Sequence, residues 1–238
     1  MLPVAILAGG LATRLQPLTN AIPKSLADVN GEPFVSHQLR LLRRNGFDRV
    51  VICAGFLGEM IREFVGDGRG WGLEIEFSFD GPKLRGTAGA LKEALPLLGE
   101  SFFVLYGDSY LPCDYASVRV AFEASGKPAL MTVFRNEGRW DTSNVEFADG
   151  QIRACDKLNR TPGMHHIDYG LGAFHRSALD TVPWDRPYDL AALYQRLLAQ
   201  GHLAAYEVGQ RFYEIGWMEG LEETRRYLRE NESARGTS

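Results

Sequence analysis

Near its N-terminus the chain reads Leu7-Ala8-Gly9-Gly10-Leu11-Ala12-Thr13-Arg14-Leu15, with Pro23-Lys24 shortly after. An apolar run over residues 4–7 precedes the glycines and predicts a buried strand. Glycine has no Cβ, so the backbone after this strand can approach a ligand closely and turn its amides towards an anion. Arg14 and Lys24 supply cations for phosphate oxygens. The segment therefore predicts phosphate binding at a strand end, although paired glycines also occur in ordinary turns.

Two other glycine motifs that bind phosphates do not fit this segment. A P-loop needs four residues between its glycines and then Gly-Lys followed by Ser or Thr. The dinucleotide fingerprint needs Gly-x-Gly-x-x-Gly, whereas Gly9 and Gly10 are adjacent. The pattern excludes a P-loop ATPase and a Rossmann dehydrogenase.

The residues and their spacing resemble the sugar-1-phosphate nucleotidyltransferases, also called nucleoside-diphosphate-sugar pyrophosphorylases. The signature of that family is Gly-Gly-x-Gly-x-Arg-Leu-x-Pro-Leu-Thr, followed by Pro-Lys. Residues 11–19 and Pro23-Lys24 match it, except that Ala12 replaces the third glycine. Alanine carries a Cβ, so we expect a negative φ at this position. The resemblance covers most of the chain and implies transfer of a nucleotidyl group from an NTP to a sugar 1-phosphate.

Composition and charge exclude several other classes. The chain has 238 residues and a formal net charge of −4, which argues against nucleic acid or an acidic membrane as its main partner. We find no apolar run of membrane length and no signal peptide. Cys53, Cys113 and Cys155 lack metal-ligand spacing, and the five histidines form no zinc-enzyme pattern. These features predict a cytoplasmic protein without disulfides.

Strands and helices alternate in the first half of the chain. The apolar patterns predict strands at 4–7, 49–54, 73–79 and 102–106, and helices at 33–45, 58–65 and 86–97. Such alternation implies a parallel sheet that is covered on both faces and joined by right-handed crossovers. Ligands of these folds bind beyond the carboxyl ends of the strands. The Gly9-Gly10 loop and Gly107-Asp108 both fall there.

The pattern changes from Ala129 onwards. Strands are predicted at 129–135, 144–147, 152–155 and 169–174, with a hairpin turn at Asp149-Gly150. Helices are predicted at 190–200 and 218–229, and a frayed tail at 231–238. Together the two halves predict one α/β domain over residues 1–230, with a Rossmann-like, mixed and mainly parallel sheet flanked by helices. We expect the N-terminal half to bind the NTP and the C-terminal half to bind the sugar phosphate.

Two carboxylates are candidate ligands for magnesium. Asp108 directly follows an apolar strand, and a carboxylate there suits a hard cation that carries nucleotide phosphates. An aspartate after a strand is more often a turn cap, but the family's metal-binding aspartate occupies the matching position. The resemblance also implies a second metal carboxylate in Asp-Ile/Val-Gly, where this chain has Glu214-Ile215-Gly216. Glutamate is longer by one methylene, so a solvated strand glutamate remains the alternative.

The resemblance also implies a sugar-phosphate subsite. Asp156-Lys157 matches the family's Glu-Lys pair, in which the carboxylate holds sugar hydroxyls and the lysine holds the phosphate. Tyr169-Gly170 matches the strand on the sugar side, where glycine leaves room for the ring. Without the resemblance, a solvated lysine and a core tyrosine would be the usual interpretations.

The start of the third helix resembles the family's nucleotide-side segment. The small residues Gly86, Thr87 and Ala88 would let a base and ribose lie against the backbone, although close helix–sheet packing is an alternative use for them. Arg85 precedes them, and an arginine can donate two hydrogen bonds to guanine O6 and N7. Arg85 thus favours GTP slightly, and a solvated side chain is the alternative.

These parts predict in-line attack of a sugar phosphate oxygen on the α-phosphorus of the NTP. Catalysis would consist of positioning and charge neutralisation. Within the nucleotide-binding residues 7–14, Arg14 and the amides of residues 9–13 would hold the triphosphate and stabilise the leaving group. Lys24 would stabilise the charge at the α-phosphate, and Lys157 would hold the nucleophile. Mg²⁺ would bind Asp108 and Glu214. The oligomeric state, monomer or homodimer, stays open.

The Asp108-Ser109-Tyr110 stretch and the chain length resemble the bacterial branch that activates heptose or N-acetylmuramic acid phosphates. Within it, GTP with D-glycero-D-manno-heptose 1-phosphate is the first expectation. Uridylyl or cytidylyl transfer to another sugar or polyol phosphate is the alternative. Departures from the signature leave open a weakly active regulator that binds sugar nucleotides. A phosphocholine cytidylyltransferase would need an aromatic cage, with Trp140, Tyr169 and Trp217 as candidates.

Overall fold

A computed structural model describes residues 1–10 and 22–235. The first half contains six strands and three helices in the described residues. These are β1 (Val4–Ala8), β2 (Asp28–Val29), β3 (Glu32–Pro33), α1 (Phe34–Arg44), β4 (Arg49–Ala54), α2 (Gly58–Val65), β5 (Glu74–Phe79), α3 (Thr87–Leu98) and β6 (Ser101–Tyr106).

Among the described residues, the second half adds seven strands and three more helices. These are β7 (Ser109–Tyr110), α4 (Tyr115–Ser125), β8 (Ala129–Arg135), β9 (Val145–Ala148), β10 (Gln151–Cys155), β11 (His166–His175), α5 (Leu190–Ala199), β12 (Leu203–Val208), β13 (Tyr213–Glu214) and α6 (Met218–Arg235). Short 3-10 turns lie at Lys24–Leu26, Arg69–Trp71 and Arg176–Leu179. Among the helices described, none is both long and apolar enough to pass through a membrane.

One large sheet runs through both halves in the order β10-β9-β11-β6-β1-β4-β5, and β8 and β12 extend it from β11. Strand β1 lies parallel to β4 and β6, and β4 is parallel to β5. Strand β11 joins β6 in the antiparallel direction. This arrangement confirms the predicted mixed α/β sheet. It also brings the carboxyl ends of β1 and β6 side by side, with Leu7 opposite Tyr106.

Alternating side chains of β1 enter two separate apolar cores. Val4 and Ile6 face the core that contains α1, α2 and α4, whereas Ala5 and Leu7 face the core that contains α3 and α5. This two-sided burial explains the unbroken apolar run of the first strand, because strands covered on both faces have no polar side. Helix α6 packs in a third cluster, against α1 and Tyr110.

Several predicted boundaries differ from the structure. The sequence patterns missed α4 and β12 altogether. Helix α6 continues to Arg235, so a frayed tail from residue 231 onwards was wrong for residues 231–235. Strand β11 begins at His166, earlier than predicted, because residues 166–168 also pair with β8. The register of this pairing shifts between Asp168 and Gly172. That bulge interrupts the alternation on which the prediction relied.

Candidate active site

A cavity of about 300 Å³ opens beyond the carboxyl ends of β1 and β6. Its floor is the end of β1 and the two glycines that follow, and its sides are the Lys24 turn and the start of α3. The candidate residues of the sequence analysis that line this cavity are Leu7, Ala8, Gly9, Gly10, Lys24, Gly86, Thr87 and Asp108. We call this space the first cavity.

A second cavity of about 340 Å³ adjoins the first and is more polar. Residues of the second half form most of its wall, including Lys157 and Gly170. Its polar lining consists of Asp108, Ser109, Asp141, Thr142, Asn144, Lys157, Asp168 and Glu214. Tyr106 and Asp108 line both cavities. A ligand in one cavity therefore meets a ligand in the other beside Asp108, at the end of β6.

Lys24 and Asp108 form an ion pair at this junction. The Lys24 Nζ lies 2.8 Å from Asp108 Oδ2, and both side chains are about three-quarters buried or more, with exposed fractions of 19% and 26%. Pro23 adopts an extended conformation before the turn that carries Lys24, and it directs the lysine across to β6. A cation in this position can donate a hydrogen bond to a phosphate oxygen at the meeting point of the two cavities.

Glu214 approaches Asp108 from the adjacent strand. Strands β13 and β7 are antiparallel, Glu214 lies opposite Ser109, and the Ile215 amide donates a hydrogen bond to the Asp108 carbonyl over 2.9 Å. The pKa of Glu214 is raised to about 8, chiefly by burial and also by Asp108 and Asp141, while Lys157 and Lys24 oppose the shift. A cation bound between these carboxylates would relieve their repulsion.

Asp108 and Glu214 fit a magnesium ion by their donor chemistry. Both offer hard carboxylate oxygens, and Mg²⁺ in nucleotide sites takes one or two carboxylates with phosphates and waters as its other ligands. The described residues contain no group of three His, Cys, Asp or Glu side chains arranged to hold a metal. The protein would therefore supply only part of the coordination sphere, and the substrates would complete it.

The comparison with protein families identifies the chain. The sequence profile of the nucleotidyl transferase family matches residues 4–143, the segment that contains β1, the glycines, Lys24 and Asp108. The chain belongs to the nucleotidyl transferase family. Its resemblance to sugar-1-phosphate nucleotidyltransferases is thus confirmed.

Three curated relatives show the breadth of this nucleotidyl transferase family. The UTP–glucose-1-phosphate uridylyltransferase of Synechocystis is 28% identical over 87% of this chain and 58% of its own length. The N-acetylmuramate α-1-phosphate uridylyltransferase of Neisseria meningitidis is 39% identical over 47% of this chain and 49% of its own. The D-glycero-α-D-manno-heptose 1-phosphate guanylyltransferase of Campylobacter jejuni is 31% identical, covering 67% and 70%. The first two matches thus cover about half of those relatives.

The fold agrees with solved nucleotidyl transferase structures. A Bacillus anthracis protein assigned as a glucose-1-phosphate thymidylyltransferase superposes with a TM-score of 0.85, covering 96% of both chains at 19% sequence identity. The likeness extends through both halves, so the second half is part of the same fold.

Part of the predicted phosphate loop lies outside the described residues. Leu11, Ala12, Thr13 and Arg14 belong to that part, and their roles stay predictions. The described neighbours Gly9 and Gly10 line the first cavity.

The start of α3 lies beside the first cavity, but its small residues are required by packing against a neighbouring segment. Gly86 has φ +72°, and a Cβ there would lie 2.7 Å from the Tyr188 carbonyl oxygen. The glycine thus makes room for the backbone of a neighbouring segment, and Ala88 is fully buried. Arg85 does not line the cavity; its guanidinium donates to the Trp184 carbonyl over 3.2 Å.

The predicted sugar-side residues separate into two groups. Lys157 and Gly170 line the second cavity. Asp156 is half-buried and accepts hydrogen bonds from the Leu158 and Asn159 amides, which fixes its own loop. Tyr169 is fully buried in the core. It therefore contributes no face to an aromatic cage, and the Arg211 guanidinium covers Trp140 at 4.5 Å from the ring centroid.

Four carboxylates at the cavities were missed by sequence reasoning, and one of them, Asp141, lies in the loop before β9. Asp80 follows β5 as Asp108 follows β6, so the strand-end rule could have found it. Asp168 lies at the bulge of β11, and Asp189 precedes α5; neither position has a signal in a single sequence. Burial raises the pKa of both Asp80 and Asp168. A backbone amide opposes each shift: the Arg85 amide acts on Asp80, and the Gly170 amide acts on Asp168.

Proposed function

We propose that this protein transfers a nucleotidyl group from an NTP to a sugar 1-phosphate, releasing pyrophosphate. The observation that carries the proposal is the junction of the two cavities at Asp108, with the Lys24 ammonium 2.8 Å away. One cavity is walled by a glycine turn and the start of a helix, and the other by hydroxyl-binding polar groups. Two phosphorylated substrates seated there would present their phosphates to each other.

The described residues divide the work of transfer. Gly9 and Gly10 hold the triphosphate through their amides, and Lys24 stabilises the charge that develops at the α-phosphate. Lys157 holds the attacking sugar phosphate against its repulsion by the nucleotide. The nucleophile is already ionised, so the reaction needs positioning and charge neutralisation more than proton transfer. Mg²⁺ held by Asp108 and Glu214 would add Lewis-acid polarisation of the phosphate.

Asp80 supports GTP as the nucleotide. Its carboxylate lines the first cavity and is nearly buried, and one oxygen accepts the Arg85 amide over 3.3 Å. The other oxygen accepts no further hydrogen bond from the described residues. Ionised carboxylates only accept hydrogen bonds, and guanine offers two adjacent donors, N1–H and the 2-amino group. Uracil offers a single N–H between two carbonyls and suits this acceptor less well.

The charge of the second cavity supports a neutral, polyhydroxylated sugar. Asp141, Asp168, Thr142 and Asn144 can bind hydroxyl groups there. The lactyl carboxylate of N-acetylmuramic acid would instead meet like charges. We therefore propose heptose 1-phosphate with GTP, in a cytoplasmic pathway. The uridylyltransferase relatives make UTP with another sugar 1-phosphate the second candidate.

The test is pyrophosphate release with Mg²⁺ across GTP, UTP, CTP, ATP and dTTP, each with heptose, mannose, glucose and N-acetylmuramic acid 1-phosphates. We expect turnover with GTP and heptose 1-phosphate. Lys24→Ala should lower kcat by roughly 100-fold or more, as loss of one charge-stabilising group does. Lys127→Ala, which lines neither cavity, is the matched control. If the protein binds nucleotides but releases pyrophosphate with none of the pairs, the proposal is contradicted and a regulatory protein is favoured.

A further inference from the structure

A segment from the second half closes one side of the first cavity. This segment, residues 185–190, leads from the 3-10 turn at Arg176–Leu179 into α5 and lies against the start of α3. The Tyr188 amide donates to the Arg85 carbonyl over 2.8 Å, and the Tyr188 carbonyl accepts from Ala88 and Gly89 over 2.9 and 3.1 Å. These backbone hydrogen bonds fix the segment beside the nucleotide cavity.

Asp189 is the carboxylate that this segment presents to the cavity. It occupies the N-cap position of α5, where an aspartate ordinarily accepts a hydrogen bond from the first turn. Here it makes no such bond. Thr87 Oγ1 accepts the Leu190 amide instead, over 2.7 Å. No hydrogen bond or ion pair of the Asp189 carboxylate is found within residues 1–10 and 22–235, so its oxygens are free to accept from a ligand.

The position of Asp189 along the cavity indicates which part of a nucleotide it meets. Lys24 and Asp108 mark the phosphate end. Asp189 lies beside the start of α3, because the amide of the next residue, Leu190, donates to Thr87 Oγ1, and Thr87 lines the same cavity. The start of α3 is the predicted contact of the base and ribose, and the base is the part assigned to Asp80. The ribose is therefore the part of a bound nucleotide that Asp189 meets.

We propose that Asp189 accepts a hydrogen bond from the ribose 2′-hydroxyl and selects ribonucleotides over 2′-deoxyribonucleotides. An acidic side chain performs this task in dinucleotide-binding folds, so the chemistry is well suited to a carboxylate. The inference rests on the proposed function, in that the first cavity is the NTP site. It assigns a specificity-determining residue to a segment outside the family's glycine signature.

The test compares equilibrium binding of GTP and dGTP by calorimetry in Mg²⁺, with UTP and dUTP in parallel. The wild-type protein should prefer the ribonucleotide by roughly 10- to 100-fold, the range for a hydrogen bond to a charged group. Asp189→Ala should reduce that preference to about twofold by weakening the ribonucleotide alone. Asp189→Asn keeps an acceptor oxygen and should retain part of the preference. Asp185→Ala, an exposed carboxylate of the same segment, is the control and should leave it unchanged.

A second pair of ligands separates ribose from base recognition. ITP lacks the 2-amino group of GTP, so Asp80→Asn should reduce the GTP-to-ITP preference, whereas Asp189→Ala should leave it intact. Equal binding of GTP and dGTP by the wild type, or equal weakening of both by Asp189→Ala, would overturn the proposal. Selective binding without pyrophosphate release would refute nucleotidyl transfer yet support the Asp189 assignment. Absence of nucleotide binding would refute both.

Discussion

Carboxylates outnumber cations around the second cavity. Asp108, Asp141, Asp168 and Glu214 line it, and Lys157 is the single cation among its described lining residues. Burial and mutual repulsion hold the pKa of Glu214 near 8, and burial raises the pKa of Asp168. The repulsion between these carboxylates is thus concentrated where a phosphate-bound cation and sugar hydroxyls would offset it. Such tension between stability and function is common at binding sites.

Asp168 gives a pH-dependent prediction. Because its folded-state pKa lies above the ordinary 3.8, the folded protein binds the proton more tightly than the unfolded chain. Stability from this group is therefore present at low pH and is lost as the pH rises through the folded pKa. Asp168→Asn keeps an acceptor for the Gly170 amide but has no proton to lose. The free energy of unfolding of the variant, relative to wild type, should rise from pH 4 to pH 7 in urea titrations.

An unchanged difference between Asp168→Asn and wild type across that range would contradict the prediction. Asp149→Asn is the control, since this exposed carboxylate lies in a hairpin turn outside both cavities. Its difference from wild type should not vary in the same way.

At the scale of elements, an arginine connects two walls of the second cavity. The Arg211 guanidinium lies 4.5 Å from the Trp140 ring centroid and 4.8 Å from that of Tyr213, and it also pairs with Glu223 on α6. Trp140 precedes Asp141 and Tyr213 precedes Glu214 in the chain. The stack therefore holds the loop before β9 in place against β13. Arg211 acts on the cavity through its neighbours.

Substitution of Arg211 should affect the sugar side selectively. Arg211→Met and Arg211→Lys both lose the planar stacking group, which contributes about 1 kcal/mol at such sites. We expect KM for the sugar phosphate to rise about fivefold, with KM for the NTP changed less than about twofold in steady-state assays. The control is Arg62 on α2, whose guanidinium lies 5.6 Å from the Phe79 ring centroid. Arg62→Met removes this similar contact and should change neither KM value. Parallel changes in both KM values would rule out this positioning role.

At the scale of the whole molecule, one continuous sheet joins the two halves of the chain. Strand β11 of the second half pairs directly with β6 of the first, and the α3 and α5 side chains share one core. A boundary between an NTP half and a sugar half would thus cut through both a sheet and a core. This continuity supports the predicted single domain.

Unfolding should therefore be a single transition in both halves. In urea, variants that retain only Trp71 or only Trp184 should show the same fluorescence midpoint. Leu42→Ala removes a fully buried side chain of α1 and should cost about 2–5 kcal/mol. It should lower both midpoints equally, although Trp184 lies in the other half. Separate midpoints would indicate two folding units and would contradict the prediction.

Much of the fold follows from local pattern. Strands β4 and β8 and helix α2 have the predicted bounds, because each pairs an apolar run of the right period with clear turn residues at its ends. Helix α4 was missed although Asp114 caps it by accepting the Ser117 amide. Its buried residues Tyr115, Val118 and Phe122 have helical spacing, but the exposed Val120 adds an apolar residue on the other side and obscures that period. Strand β12 was missed because its pairing with β8 is a contact between distant parts of the chain.

By itself, the sequence determined the family, the order of the main elements and the placement of Gly9, Asp108 and Lys157 after strand ends. These features depend on local spacing, and strand ends of a parallel sheet meet at one edge. Only the tertiary structure decided that Asp189 lines the first cavity, that Asp168 lines the second, and that Arg85 turns away. Each of those outcomes depends on which distant segment packs nearby, and pairing between distant segments has no local periodicity to reveal it.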